Sequence, residues 1–333
     1  MPEPSVAVLC YHTFDSPKKT PYSISSSLLK KQLHYLAIQR IPVIPLQDLY
    51  DHMNHHKLLP PKAVIITIDD GYKTARTIAA PLLQKQGVPF TLFVYPKNIG
   101  RRNGMSWEDV QELSKEGVDI QSHSMNHPLL THPHQRMNPK DYDAWLDQEL
   151  LESRKLLESK IKKPVRFIAY PFGGYDEHIV QKTKEAGYLA AFTCDDGNAY
   201  EDTFPLRVPR RLVLRGQTWR RFVSFFQAQE LNIENLSPRP GERLRGFPET
   251  IGGTITNIHQ IDPNTLKILV DEWGGKRVLV PVDPHTGLFK IPYLKPRRYW
   301  YNFVSLFAKD KDNPHLTREA SFIFILSRNV SKN

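Results

Sequence analysis

Cysteine is scarce in this sequence of 333 residues, which has two, Cys10 and Cys194. Both lie in apolar, strand-like stretches, which favours buried small side chains over a disulfide framework and gives no compartment. Long apolar runs are missing as well. No stretch approaches the ~18 apolar residues that a membrane span requires, so no transmembrane segment is expected. The opening MPEPSVAVLCYH has no basic segment followed by an apolar core and a small-residue cleavage site, so no signal peptide is legible there. Acidic charge is outnumbered: 35 Asp and Glu against 45 Lys and Arg leave +10 at pH 7. That balance favours an anionic partner. Yet the basic residues are dispersed, with small clusters at Arg210–Arg211, Arg220–Arg221 and Lys295–Arg298. No helix-turn-helix, zinc finger or other nucleic-acid module accompanies them, so no nucleic-acid partner is expected.

What is present reads as a soluble globular chain, with 40% hydrophobic and 24% charged residues. Its length exceeds what one core usually supports, so two domains are expected. Up to about residue 215 the sequence alternates two patterns. VAVLCYH (6–12), IPVIPL (41–46), AVIITID (63–69), FTLFVYP (90–96), VDIQSH (118–123), VRFIAYP (165–171) and YLAAFTC (188–194) read as buried strands. Between them, SSLLKKQLHYLAIQ, TARTIAAPLLQKQG, SWEDVQELSKEG and DYDAWLDQELLESRKLLESKI have helical spacing, with serine caps and terminal glycines. Strand and helix in alternation predict an α/β domain with a parallel sheet, and about seven strands favour a (β/α) barrel or near-barrel.

Past residue 235 the pattern changes. LSPRPGERLRGFP reads as a linker, and the rest is a series of short alternating segments broken by Pro, Gly, Asn and Asp. That predicts an all-β sandwich, Ig-like in size, over 236–333, after a first domain over 1–235. Tyr299, Tyr301 and Phe303 fall on one face of a strand and Trp300 on the other, read as core aromatics before a sugar-stacking platform.

Four predicted strands end in residues capable of chemistry. VIITIDDGY puts Asp69 and Asp70 side by side at a strand end. Asp-Gly is also a plain turn pair, but the C-terminal edge of a parallel sheet is where α/β folds place their sites. In SHSMNH, His123 and His127 stand four apart, a spacing that lets both imidazoles face one cation from one side of a helical turn. With a neighbouring aspartate they form a two-histidine, one-carboxylate set with open positions. AYPFGGYD (169–176) ends a strand in a turn able to aim a backbone N–H into the site, and CYHTF brings His12 to the end of the first strand.

TIDDG, HSMNH and AYPFG, in this order and spacing, resemble the polysaccharide deacetylase family, also called NodB-homology or carbohydrate esterase family 4. The resemblance covers roughly residues 5–215 and includes MSWEDVQELSKEGVDIQSHSMNHPLL. It implies a distorted (β/α) barrel and metal-dependent removal of acetyl groups, mostly from N-acetylglucosamine units of a polysaccharide. Carried over by motif, Asp69 is the general base, and Asp70, His123 and His127 hold a divalent metal, zinc before cobalt or nickel. The Phe172 backbone N–H is an oxyanion donor, with Tyr170, Pro171 and Trp107 on the substrate side.

The chain departs from the commonest family pattern in two places. Ala169 stands where many members have an arginine, and RLVLRGQ (211–217) lacks the late histidine that supplies the acid. The branch acting on poly-N-acetylglucosamine looks more similar, and by that resemblance His12 is the general acid. Arg210 is expected to replace the missing arginine beside Asp69, with Arg207 and Arg211 as competitors. The implied partner is an acetylated polysaccharide at the cell surface or outside the cell. An O-acetyl esterase of xylan type and a non-catalytic glycan-binding protein are the alternatives.

Overall fold

The computed structural model describes residues 4–132, 137–270, 277–293 and 301–326. The chain divides into two compact units: residues 1–173, 179–194 and 199–226 form the first, and residues 174–178, 195–198 and 227–333 the second.

The first unit opens with β1 (Ser5–Tyr11), a small pair β2 (Thr13–Phe14) and β3 (Ser23–Ile24), then α1 (Ser26–Ile38) and α2 (Leu46–His55). It continues through β4 (Lys62–Asp69), α3 (Ala80–Lys85), β5 (Thr91–Val94), α4 (Trp107–Lys115) and β6 (Asp119–Ser122). There follow α5 (Pro139–Asp147), α6 (Ser153–Ile161), β7 (Phe167–Ala169), α7 (Glu177–Glu185), β8 (Ala190–Phe192), β9 (Arg211–Leu212) and α8 (Trp219–Ser224). The helix starts follow the expected caps. The Ser25 hydroxyl accepts from Leu28 N, and Ser106 forms a reciprocal capping box with Asp109 at the head of α4.

The seven-stranded parallel sheet has the order β8-β7-β6-β5-β4-β1-β9. Its two edges are linked by one short stretch of chain. Val208 pairs in parallel with Phe192 of β8, and Arg211 and Leu212 pair with Leu9 and Cys10 of β1. Residues 208–212 therefore bring the two edges together, and Arg210 sits between the two pairings. Residues of β1, β4, β5, β7 and β8, among them Val8, Ile65, Phe93, Phe167 and Phe192, share one buried cluster.

One expected strand is not a strand. In IPVIPL only Val43 bridges to Val64, and α2 begins at Leu46. Pro42 and Pro45 carry no N–H, so the segment cannot donate regularly to a ladder. The missed strand is β9, two residues long and too short to show a period.

The second unit contains β10 (Ala228–Glu230), β11 (Ile233–Ser237), β12 (Arg243–Leu244), β13 (Thr250–Ile255), β14 (Lys267–Val270), β15 (Arg277–Leu279), β16 (Leu288–Pro292), β17 (Tyr301–Lys309) and β18 (Thr317–Leu326). One sheet runs β10-β18-β17-β14-β15 with β12 on β18, and the other β11-β13-β16. Alternate residues of both sheets, including Ile251, Phe289, Ile268, Val304, Leu306, Phe322 and Phe324, share one core, as a sandwich requires. The stretch expected to be a linker begins inside β11 and carries β12, so it is built into this unit. Tyr299 and Trp300 lie outside the described residues.

Candidate metal and acid–base centre

Strand β4 ends on Asp69, and successive strand side chains point to opposite faces, so Asp70 should face away from Asp69. The backbone reverses that. Asp70 and Gly71 both take left-handed conformations, φ 74° and 70°. The turn is held by Asn98 Nδ2 donating to the Asp70 carbonyl at 2.8 Å and by Met105 N donating to the Gly71 carbonyl at 3.0 Å. Both carboxylates thereby reach the same imidazole: His123 Nε2 lies 3.7 Å from Asp69 Oδ2 and 3.5 Å from Asp70 Oδ1.

His123 follows β6 and is fully buried. Its Nδ1 lies 2.7 Å from the Ala169 carbonyl, which can only accept, so Nδ1 carries the proton and Nε2 presents a lone pair to the cluster. His127 Nε2 is 3.1 Å from His123 Nε2 and 3.3 Å from Asp70 Oδ1. The helical turn expected to pair the two histidines is absent. Residues 123–127 form an irregular loop with Ser124 and His127 at positive φ. Glu149, buried in a π-helical turn between α5 and α6, holds that loop. Its Oε2 accepts from Met125 N at 3.2 Å and Asn126 N at 2.9 Å, and its Oε1 from Asn126 Nδ2 at 2.6 Å.

Asp70, His123 and His127 offer ligand atoms all within 4.8 Å of one another, and the buried Asp70 Oδ1 has no hydrogen-bond partner. The His123 Nε2 lone pair, the Asp70 carboxylate and His127 Nε2, brought together at one point, fit a divalent cation. A two-histidine, one-carboxylate set matches zinc and leaves positions open. Without such an ion, burial and the neighbouring Asp69 push the Asp70 carboxyl up to about 7.

Asp69 lies in the opposite electrostatic setting. Arg210 Nη1 donates to its Oδ1 and Nη2 to its Oδ2, and Arg210 also donates from Nε to the Thr193 carbonyl at 2.9 Å. Cys10 Sγ donates to Asp69 Oδ2 at 3.4 Å. Burial alone would raise this carboxyl, but the Arg210 guanidinium, with His123 and the hydrogen bonds, holds it well below the usual range. Two adjacent aspartates are thus driven in opposite directions. Of the three competing arginines, Arg211 lies over the Phe225 ring and Arg207 over Phe204.

His12, at the end of β1, belongs to a second group with Cys10 and Asp69 whose polar atoms lie within 4.8 Å. Its Nδ1 is buried without a partner, and burial lowers its pKa to about 4. Tyr22 covers it, ring centroids 4.8 Å apart. Phe172 is 60% exposed, at φ 59°, with its ring 4.7 Å from His127. Tyr95 approaches His127 from another side at 5.0 Å.

Of the residues expected on the substrate side, two are buried. Tyr170 is fully buried, its hydroxyl donating to Thr183 Oγ1 at 3.2 Å, so it faces the interior and has no exposed surface. Pro171 is buried in the turn, and Trp107 is half-buried under Lys160. Sequence reasoning missed Cys10, although its position two before His12 puts both on one strand face. Glu149 gave no sequence signal, because a helical glutamate reads as solvated until its fold partners are known.

Comparison with known proteins adds the following. Residues 56–191 match the family model described as Polysaccharide deacetylase. The Bacillus subtilis protein YxkH, named as a polysaccharide deacetylase, is 28% identical over 169 residues, 51% of this chain and 58% of that protein. The chain thus spans under two thirds of the length of that relative. A Poly-beta-1,6-N-acetyl-D-glucosamine N-deacetylase of Staphylococcus aureus is 25% identical over 198 residues, 58% of this chain and 68% of that one. Among solved structures, IcaB from Ammonifex degensii superposes with a TM-score of 0.58 at 25% identity, covering 67% of this chain and 95% of that one. The Streptococcus pyogenes deacetylase PplD has a TM-score of 0.60 at 20% identity, covers 67% of this chain and 99% of that one, and speaks for the fold alone. The matched stretch contains Asp69, Asp70, His123, His127 and Phe172. His12 and Arg210 fall outside it, so their placement rests on geometry.

Proposed function

We propose that this chain, which belongs to the polysaccharide deacetylase family through its first unit, hydrolyses acetyl groups from N-acetylglucosamine units of a polysaccharide. The observation that carries the reading is the clamp of Arg210 on Asp69 beside the converging Asp70, His123 and His127. When bound by those three residues, a divalent ion such as zinc supplies Lewis acidity, lowering the pKa of water and polarising an acetyl carbonyl.

The chain's own residues supply the proton handling. Asp69, kept ionised by Arg210, takes a proton from the attacking water. The same pairing makes it a weak base, which suits an acidified water and not a bulk one. The amine leaving group needs that proton as its C–N bond breaks. His12, neutral near pH 7 and within reach of Asp69, passes it on, so that water and the N-acetyl group become acetate and a protonated amine. Phe172 presents its backbone and exposed ring beside His127, where the acetyl oxygen would be held. The S. aureus relative's named substrate supports a polymer that contains N-acetylglucosamine units. Such polymers lie outside the cell, so the site of action proposed is extracellular or at the cell surface.

The test is acetate release from acetylated glucosamine oligomers by chelator-stripped protein, with and without added zinc, beside Asp69→Asn. Zinc-dependent release that the substitution abolishes is the expected result. Release from O-acetylated xylan alone would replace the reading with an esterase. No release with any divalent ion would replace it with glycan binding.

A further inference from the structure

Six exposed cations lie in the loops that adjoin the metal and acid–base centre. Lys18 and Lys19 lie in the loop between β2 and β3, whose Tyr22 covers His12. Lys73 follows Asp70 by three residues, and Lys97, Arg101 and Arg102 lie in the loop after β5. That second loop is tied directly to the site. Lys97 N donates to the Met125 carbonyl at 3.2 Å, two residues before His127, and Lys73 N donates to the Asn103 carbonyl at 2.8 Å. Arg101 Nε donates to the Lys97 carbonyl at 2.7 Å, close enough for its charge to act on Tyr95. Among the described residues none of the six forms an ion pair with a carboxylate. The acids nearest along the chain are Asp69, which Arg210 pairs, and Asp70, which faces the two histidines, then Asp15, which accepts from Ser26 N, and Glu108 and Asp109 in the first turn of α4.

Deacetylation leaves a cationic amine on every processed sugar. A mouth lined with uncompensated positive charge repels a product that accumulates such amines along its length. The same mouth attracts a polymer carrying negative groups, whose product stays near neutral and can leave. Resting on the deacetylase reading, we propose that the substrate is a polyanionic glycan, bearing carboxylate or phosphate groups close to the acetylated glucosamine, and that Lys73, Lys97, Arg101 and Arg102 with Lys18 and Lys19 select it.

The experiment separates binding from turnover. Equilibrium binding to the metal-free full-length chain is measured for three oligosaccharides of equal length: a neutral N-acetylglucosamine oligomer, a hyaluronan oligomer bearing carboxylates, and a phosphorylated N-acetylglucosamine oligomer. Acetate release from the same three by zinc-loaded protein runs in parallel. An anionic oligomer is expected to bind at least about tenfold tighter than the neutral one at low salt. That advantage should vanish near 0.5 M salt, where the screening length is only about 4 Å, and in the combined variant Lys18→Gln, Lys19→Gln, Lys73→Gln, Lys97→Gln, Arg101→Gln, Arg102→Gln. Which anionic oligomer wins identifies the carboxylate or the phosphate as the recognised group.

Equal binding of all three would overturn the inference, while acetate release from the neutral oligomer would leave the deacetylase reading intact. Salt-sensitive preference with no acetate from any oligomer would sink the deacetylase reading and keep the anionic-glycan surface. Binding to phosphatidylglycerol vesicles with no preference among the oligosaccharides would overturn the inference in favour of a lipid surface.

Discussion

Arg210 meets Asp69 through two parallel hydrogen bonds, Nη1 to Oδ1 at 2.9 Å and Nη2 to Oδ2 at 2.8 Å, across 141 residues of chain. Both side chains are essentially without solvent contact. A buried pair of this kind is costly to break from one side, because the survivor keeps its charge without its partner.

Arg210→Met should therefore destabilise the protein by about 3–5 kcal/mol at pH 7. The loss should shrink towards low pH, where the stranded carboxylate of Asp69 takes up a proton. Urea unfolding of the variant at pH 7 and pH 4.5 checks both statements, and a loss independent of pH would show that packing, not charge, dominates. Arg210→Lys should recover only part of the stability, since a single ammonium cannot reproduce the two-pronged contact.

Glu149 touches no candidate ligand side chain, yet three donors of the loop carrying His127 converge on its carboxylate. Glu149→Gln should weaken divalent-metal binding by about 10–100-fold, as outer-shell substitutions do. Cobalt titration followed by visible absorption reads this directly, without any turnover. An unchanged cobalt affinity and spectrum would show that the loop holds its shape without Glu149.

The metal-free protein should respond to pH at Asp70 in the opposite sense to an ordinary aspartate. Its carboxyl is pushed up to about 7 in the folded state, above the unfolded value of 3.8. The unfolded chain thus releases this proton first, and stability falls as pH rises from about 4 through 7. Asp70→Asn should stabilise the metal-free chain at pH 8 more than at pH 4, while abolishing zinc binding. Thermal unfolding with chelator at both pH values decides it. Zinc should reverse the sign for the unsubstituted chain, stabilising it at pH 8 by mass action.

Gly71 has φ 70°, and a Cβ there would lie 3.2 Å from Val94 Cγ1. Gly71→Ala should cost about 1–2 kcal/mol from the left-handed backbone. Because that turn swings Asp70 round to the histidines, metal affinity should fall along with stability. A cobalt titration at a temperature where the variant is fully folded separates the two effects.

The local decisions were written in the sequence. Continuous apolar, β-branched runs marked β1 and β4 to β8, serines capped α1 and α4, and Asp69, Asp70 and His123 stood at the ends of predicted strands, with His127 four residues on. These depend on a few neighbouring residues, so short-range pattern suffices to read them. The tertiary structure alone decided the rest. It chose Arg210 over Arg207 and Arg211, because only the residue between the two edge pairings at 208–212 meets the buried carboxylate. It set His127 beside His123 through an irregular loop clamped by Glu149 in place of a helical turn. It sent Tyr170 inward, where Thr183 takes its hydroxyl. Each of these depends on which distant residue faces inward once the sheet edges meet, a matter of register and closure that no stretch of ten residues contains.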